Sequence, residues 1–347
     1  MKLSFLDKYL TLWIFSAMLI GVLIGVFSPD FSSSLEQLSE GTTNIPLAIG
    51  LILMMYPPLA KVNYAKIPTI FKNYKPVLLS LAVTWIFAPL FMFALANLFL
   101  SEYPEYHTGL ILIGIAPCIA MVIVWNELAG GNREYIAALI GINSLLQVFF
   151  YASYAYFYIT YLPEKLGMKN SIVDIEMTQI AKTVFIYLGI PFTLGAFSRT
   201  LGIKIKGQEW YEQQFLPKIS PITLISLLLT IIFMFSLKGE MIVKIPFDVV
   251  RISIPLILFF GVMFILMFFL AKKMKTTYDV NMALSFTATG NNFELAIAVS
   301  IGVFGINSGE AFAGVIGPLI EVPALILLVK LAFWLKGKYY NNYKPKS

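Results

Sequence analysis

The chain has 347 residues, of which 59% are apolar and only 13% charged, with a formal net charge of +6. A soluble domain carries about 25% charged residues, so this chain cannot cover itself with a solvated surface. One cysteine (Cys118) and one histidine (His107, which reads as lying in a polar joint) rule out an internal disulfide framework and any zinc site built on His and Cys clusters.

The apolar residues fall into ten runs, at about 10–28, 44–60, 75–100, 108–128, 134–162, 177–198, 217–237, 250–271, 280–305 and 311–335. A crossing needs about 20 mostly apolar residues, so these runs predict an all-α membrane protein with ten transmembrane helices. The polar joints are too short to hold a second domain, and residues 1–347 read as a single polytopic membrane domain. The first run is too long for a signal-peptide core, and no A-x-A cleavage pattern follows it. It reads as a retained helix. The second run is short and ends in the Pro57-Pro58 pair, and the fifth is long and rich in tyrosine and phenylalanine.

Placing the N-terminus inside puts 18 Lys and Arg residues in inner segments and five in outer joints. That asymmetry is the positive-inside pattern. It predicts a multi-pass cell-membrane protein with both termini cytoplasmic. It also accounts for the net positive charge without a nucleic-acid partner.

A shift of 176 residues brings Gly114–Gly141 onto Gly290–Gly317 with six identities, Gly114/Gly290, Ala120/Ala296, Glu134/Glu310, Ala137/Ala313, Ile140/Ile316 and Gly141/Gly317. The shift superposes run 4 on run 9 and run 5 on run 10. Two five-helix halves, about 8–162 and 177–336, would then form a 5+5 inverted repeat, an architecture typical of secondary transporters. Chance similarity between Gly- and Ala-rich helices is the competing explanation.

Runs 4 and 9 are interrupted near their middles. Run 4 contains Pro117, which removes a backbone donor and crowds the preceding turn. Run 9 reads Thr287-Ala288-Thr289-Gly290-Asn291-Asn292-Phe293-Glu294. Such residues are costly at membrane depth and are tolerated where broken helices 4 and 9 line a cavity. The same shift sets Cys118 on Glu294, so a shared central site is expected there. A carboxylate such as Glu294 in a poorly solvated cavity is a natural proton carrier or cation ligand; a helix-contact hydrogen bond is the alternative. Glu321, within Pro318-Leu319-Ile320-Glu321-Val322-Pro323, is a second intramembrane carboxylate. Asn143, Ser144 and Gln147 of run 5 read equally as helix-to-helix glue or as ligands. A lone buried cysteine usually behaves as a small hydrophobe, yet a thiolate selects soft, thiophilic species; the residues alone leave both readings of Cys118 open. Trp125-Asn126-Glu127 reads as an interfacial anchor.

Several segments together resemble the Acr3-type arsenite efflux permeases of the bile acid/arsenite/riboflavin transporter superfamily. They are Leu10–Phe15, Asn44–Pro46, Met54–Val62, Cys118–Asn126, Asn291–Val299 and Ile316–Pro323. The resemblance implies ten helices with crossed, broken helices 4 and 9, and export of arsenite, with antimonite as a further candidate cargo, in exchange for protons. It places the family's essential helix-4 cysteine on Cys118, the ligand for trivalent arsenic, and its essential helix-9 glutamate on Glu294. Pro117, Asn143, Ser144, Gln147, Asn291, Asn292 and Glu321 would support transport. Many members carry arginine where this chain has Pro117, which loosens the inference on substrate range and ion dependence. No cofactor is expected beyond a proton gradient, with Na⁺ as the alternative driving ion. The competing function is a sodium-coupled importer of organic anions, in which Thr287, Thr289, Asn291, Asn292 and Glu294 would cage Na⁺. An intramembrane enzyme is disfavoured by the lack of a G-x-G-D motif or a zinc pair.

Overall fold

The computed structural model describes residues 10–40, 43–63, 67–70, 73–168, 176–244 and 246–340. Lys2, Lys8, Lys66, Lys72, Lys169, Lys344 and Lys346, which enter the charge asymmetry, lie outside them, as do both termini. The described chain is almost wholly helical, as the long apolar runs require: in hydrocarbon every backbone polar group must be satisfied within its own segment. Its only strands are the two-residue pair β1 (Ser39–Glu40) and β2 (Thr43–Asn44), joined antiparallel.

The helices are, in order, α1 (Leu10–Phe27), α2 (Pro29–Gln37), α3 (Ile45–Lys61), the short α4 (Ile67–Ile70) and α5 (Tyr74–Leu100). The chain continues through α6 (Pro104–Gly114), α7 (Val122–Leu128), α8 (Arg133–Lys165), α9 (Met177–Lys206) and α10 (Gln208–Leu237). It ends in α11 (Pro246–Lys273), α12 (Tyr278–Thr289), α13 (Phe293–Phe304) and α14 (Gly309–Tyr339). Six of these, α5, α8, α9, α10, α11 and α14, are long and apolar enough to cross a membrane. The helices α1, α3 and α13 are shorter and apolar. The ten crossings read from the sequence therefore depend on counting α1, α3 and the split pairs α6/α7 and α12/α13 as well.

The second run corresponds to α3, Ile45–Lys61, with Pro57 and Pro58 inside the helix. One expectation changes. His107 does not sit in a polar joint. It lies in α6, 1% exposed, with Nε2 3.2 Å from Asn97 Oδ1.

The helices assemble as two bundles. In one, α10 packs along α1 and α3, and the C-terminal part of α9 packs on α3. The other gathers α5, α6, α8, α11, α12, α13 and α14. Its interior is dense with aromatic side chains, Phe259, Phe260, Phe264, Phe268, Phe286, Phe293 and Phe312 all being fully buried. Many large apolar side chains also face outward, among them Leu98, Phe149, Phe197, Phe247 and Leu327. An exterior of this kind suits hydrocarbon and not water. The two broken pairs, and the chemistry they carry, lie within the second bundle.

Candidate functional site at the paired helix breaks

The break in run 4 is a seven-residue non-helical stretch, 115–121, between α6 and α7. That in run 9 covers only 290–292, between α12 and α13. Each break frees carbonyls and amides that a continuous helix would pair, and the two breaks satisfy one another. The Cys118 amide donates to Gly290 O at 2.9 Å and the Asn292 amide donates to Ala116 O at 2.7 Å, forming a short antiparallel bridge across Pro117 and Asn291. Pro117 has no N–H to strand in this low-dielectric setting. Gly290 permits the approach, because a Cβ there would lie 3.0 Å from Cys118 Cβ.

Side chains complete the crossing. Asn291 Nδ2 donates to Ile113 O (3.0 Å), capping the end of α6. Asn292 Oδ1 accepts the Leu295 amide (3.1 Å) as the N-cap of α13. Its Nδ2 donates to Gln147 Oε1 at 3.0 Å, and Gln147 Nε2 in turn donates to Pro117 O at 2.7 Å. A single α8 side chain thus holds both breaks. Ser144, fully buried, donates to Ile140 O of its own helix (2.7 Å) and contributes nothing to the crossing. Asn143 accepts from Trp85 Nε1 at 3.0 Å, while its Nδ2 has no partner among the described residues.

Cys118 is free and 2% exposed. Its thiol faces the amides of Ala120 and Val122, and the carboxylates of Glu321 and Glu294 are both within electrostatic reach of it. Glu321, in α14 and 5% exposed, faces the Asn291 amide; its Oε1 is unpartnered among the described residues and lies 3.7 Å from the position of a Cβ on Gly290. Glu294 occupies the first turn of α13, where the residues around it are buried and it alone is partly open. One thiol from the run-4 break and two carboxylates, from α13 and α14, therefore converge on the crossing. That set can bind a soft electrophile through sulfur and take up or give up a proton beside it.

The breaks are not mirror images. Cys118 lies in the non-helical stretch, four residues ahead of α7, whereas Glu294 is already helical. Of the oxygens expected for Na⁺, those of Thr287 and Thr289 donate their protons to Ala283 O (2.6 Å) and Ser285 O (2.7 Å) of their own helix, which leaves their lone pairs open. Asn292 Oδ1 caps α13, and Asn291 Oδ1 has no partner among the described residues.

The reading of Trp125-Asn126-Glu127 as an interfacial anchor is corrected. Trp125 and Asn126 are buried, at 1% and 0% exposure. Glu127 pairs with Arg133 at 2.8 Å, and Asn126 Nδ2 donates to Asn132 O at 3.3 Å. Asn132 ties the same corner to Asp279 (2.8 Å) at the start of α12. The segment is a packed joint between α7, α8 and α12. Trp85 and Tyr151, whose hydroxyl donates to Leu112 O at 2.9 Å, escaped sequence reasoning. An aromatic residue in an apolar run carries no sign of where its polar tip points.

The sequence profile of the sodium bile acid symporter family matches residues 48–245. An Acr3 arsenical-resistance protein of Corynebacterium glutamicum is 48% identical over 98% of this chain and 92% of its own length. An uncharacterized transporter of Synechocystis is 35% identical over 96% of the chain and 90% of its own. A second Acr3 arsenical-resistance protein, from Alkaliphilus metalliredigens, is 31% identical over 95% and 93%. With similarity at this level spread across nearly the whole length, the chain belongs to the sodium bile acid symporter family and, within that superfamily, to the Acr3-type permeases.

Proposed function

We propose that this protein is a secondary transporter that exports arsenite from the cytoplasm by proton antiport, with antimonite as a further cargo. The observation that carries the reading is the chain's only thiol, Cys118, buried at a crossing of two broken helices beside Glu294 and Glu321. The names of two relatives, both arsenical-resistance proteins, point the same way. A solitary thiol suits carriage: three thiols would hold trivalent arsenic too tightly for release.

In this mechanism neutral As(OH)3 enters from the cytoplasmic side. Cys118 sulfur bonds to arsenic as one hydroxide leaves, and the thiol proton joins that hydroxide to make water. One bundle moves against the other to expose the site outward, and there Glu294 takes a proton from outside. Water then cleaves the arsenic–sulfur bond, restoring the thiol and As(OH)3. Glu294 gives its proton to the cytoplasm on return. Pro117, Asn291, Asn292 and Gln147 fix the crossing, and Asn143 and Glu321 flank it; no enzymatic step is involved.

The reading takes the ten apolar runs as ten crossings of the cell membrane in two inverted halves, about 8–162 and 177–336, with both termini cytoplasmic. In its support, Asn292 N bonds Ala116 O, two positions that the 176-residue shift makes equivalent. The family description keeps a sodium-coupled importer of organic anions as the second reading; sodium-independent arsenite uptake into everted vesicles counts against it. The primary test is Cys118→Ser in a host lacking its own arsenite pump. Resistance should be lost, and full resistance in the variant would remove the thiol from the mechanism.

A further inference from the structure

Helix α9 divides its allegiance. Its C-terminal part runs along α3, where Gly195 lies so close that a Cβ would sit 2.9 Å from the Ala60 nitrogen. Its N-terminal part, Met177–Val184, leaves that bundle and lodges between α8 and α13 of the other. There Ser153 Oγ lies 4.0 Å from Met177 Sδ, and Gln179 Nε2 donates to Gly302 O at 3.1 Å. Thr183, 7% exposed, fills the space that a side chain at 302 would need: a Cβ on Gly302 would lie 2.9 Å from Thr183 Cγ2 and 3.0 Å from Oγ1. Between the two parts the helix widens into a π-turn over Phe185–Gly189, followed by Pro191. Such turns interrupt the regular ladder and are where helices bend.

The partner of this arm is α13, the half-helix whose first turn bears Glu294 and whose far end carries Gly302. The contact lies at the end of the molecule opposite Lys204, Lys206, Lys272, Lys273, Lys336 and Lys338, which crowd the last turns of α9, α11 and α14. With those lysines facing the cytoplasm, the arm closes the outer side.

We propose that Met177–Val184 is an outer latch: while Gln179 and Thr183 sit on Gly302, the route from outside to Cys118 and Glu294 is shut, and release requires the arm to part from α13 at the π-turn. The proposal rests on the alternating-access reading above and adds to it the contact that must break. A two-state element that one bundle presents to the other is what alternation between packed states needs.

The geometry supplies its own test. A Cβ on Gly302 would stand 3.6 Å from Thr183 Cβ, within the spacing of about 3.5–4.5 Å that a disulfide spans. The double variant Thr183→Cys/Gly302→Cys should transport arsenite into everted vesicles when reduced, stop when oxidised, and recover on reduction; each single variant, treated alike, controls for oxidation of Cys118. Continued transport by the cross-linked protein, or failure of the pair to cross-link, overturns the latch. A second variant covers poor insertion of the first. Gly302→Ala should wedge the contact and raise severalfold the rate at which an impermeant thiol reagent added outside reaches Cys118, the chain's only cysteine, and Thr183→Ala in the same chain should reverse the gain. An unchanged labelling rate overturns the latch whatever the cargo proves to be, whereas loss of arsenite transport by the unmodified protein would strike only the functional reading.

Discussion

Replacing Gln147 by leucine removes one side chain of similar size and two hydrogen bonds, that to Pro117 O at 2.7 Å and that from Asn292 Nδ2 at 3.0 Å. Gln147 is fully buried, so no solvent replaces either partner. In water-soluble proteins a buried group left without a partner costs about 1–3 kcal/mol. Side-chain hydrogen bonds measured inside a membrane protein average about 0.6 kcal/mol and reach about 1.7. The membrane figures govern here, because the loosened state can also find partners within the bundle. Two bonds then come to about 1–3 kcal/mol favouring a relaxed crossing, which at about 1.4 kcal/mol per tenfold corresponds to a loss of roughly 5- to 150-fold in the population holding Cys118 and Glu294 in register. The assay is the initial rate of arsenite uptake into everted vesicles, normalised to the amount of inserted protein. Asn292→Leu breaks one of the same bonds, so the double variant should lose less than the sum of the two single effects. Gln147→Leu with a rate within about twofold of the unmodified protein, or strictly additive losses, would show that the clamp does not set transport geometry.

Three further outcomes follow from the same contacts. Glu294→Gln should still bind arsenite through Cys118 but lose acceleration by an imposed pH gradient, since the amide cannot carry a proton; a response to the gradient equal to that of the unmodified protein refutes the proton role. Trp85→Phe removes the 3.0 Å bond to Asn143 Oδ1 and leaves that buried amide without either partner among the described residues. It should lower transport by a few-fold, about 1 kcal/mol, and Asn143→Leu added to it should cost little more. Arg199→Ala removes a buried guanidinium that bonds Glu212 Oε1 at 3.0 Å and lies over the Tyr211 ring. It should lower the unfolding temperature in detergent while leaving the rate of Cys118 labelling unchanged.

Much of the helix layout was legible because a bilayer restricts spanning backbone to helices, so hydropathy alone marks where each begins and ends. The breaks were legible for the complementary reason: Pro117, Gly290, Asn291 and Asn292 are residues a continuous lipid-facing helix would not carry. Pro57 and Pro58 lie inside α3. The carbonyls that their missing N–H groups free are those of Leu53 and Met54, four residues earlier. The bonds from Tyr211 OH to Ala60 O (3.2 Å) and from Arg199 Nη1 to Lys61 O (3.4 Å) instead tie down the last turn of the helix from elements far away in the chain. What misled was local grammar applied too strictly. Trp125 and Asn126 lie where an interfacial belt would be, and only the packing of α7 against α8 and α12 shows them to be interior.

By itself, then, the sequence determined the medium, the helical class, the two broken runs and the presence of a thiol and carboxylates inside apolar runs, since each of these follows from what single residues cost at membrane depth. The tertiary structure alone decided how those groups meet. The pairing of Cys118 with Gly290 and of Asn292 with Ala116, the two hydrogen bonds of Gln147, the approach of Glu321 and the seating of Thr183 on Gly302 all join positions remote in the chain. Hydropathy counts the cost of a residue in lipid; it holds no record of which distant carbonyl repays that cost.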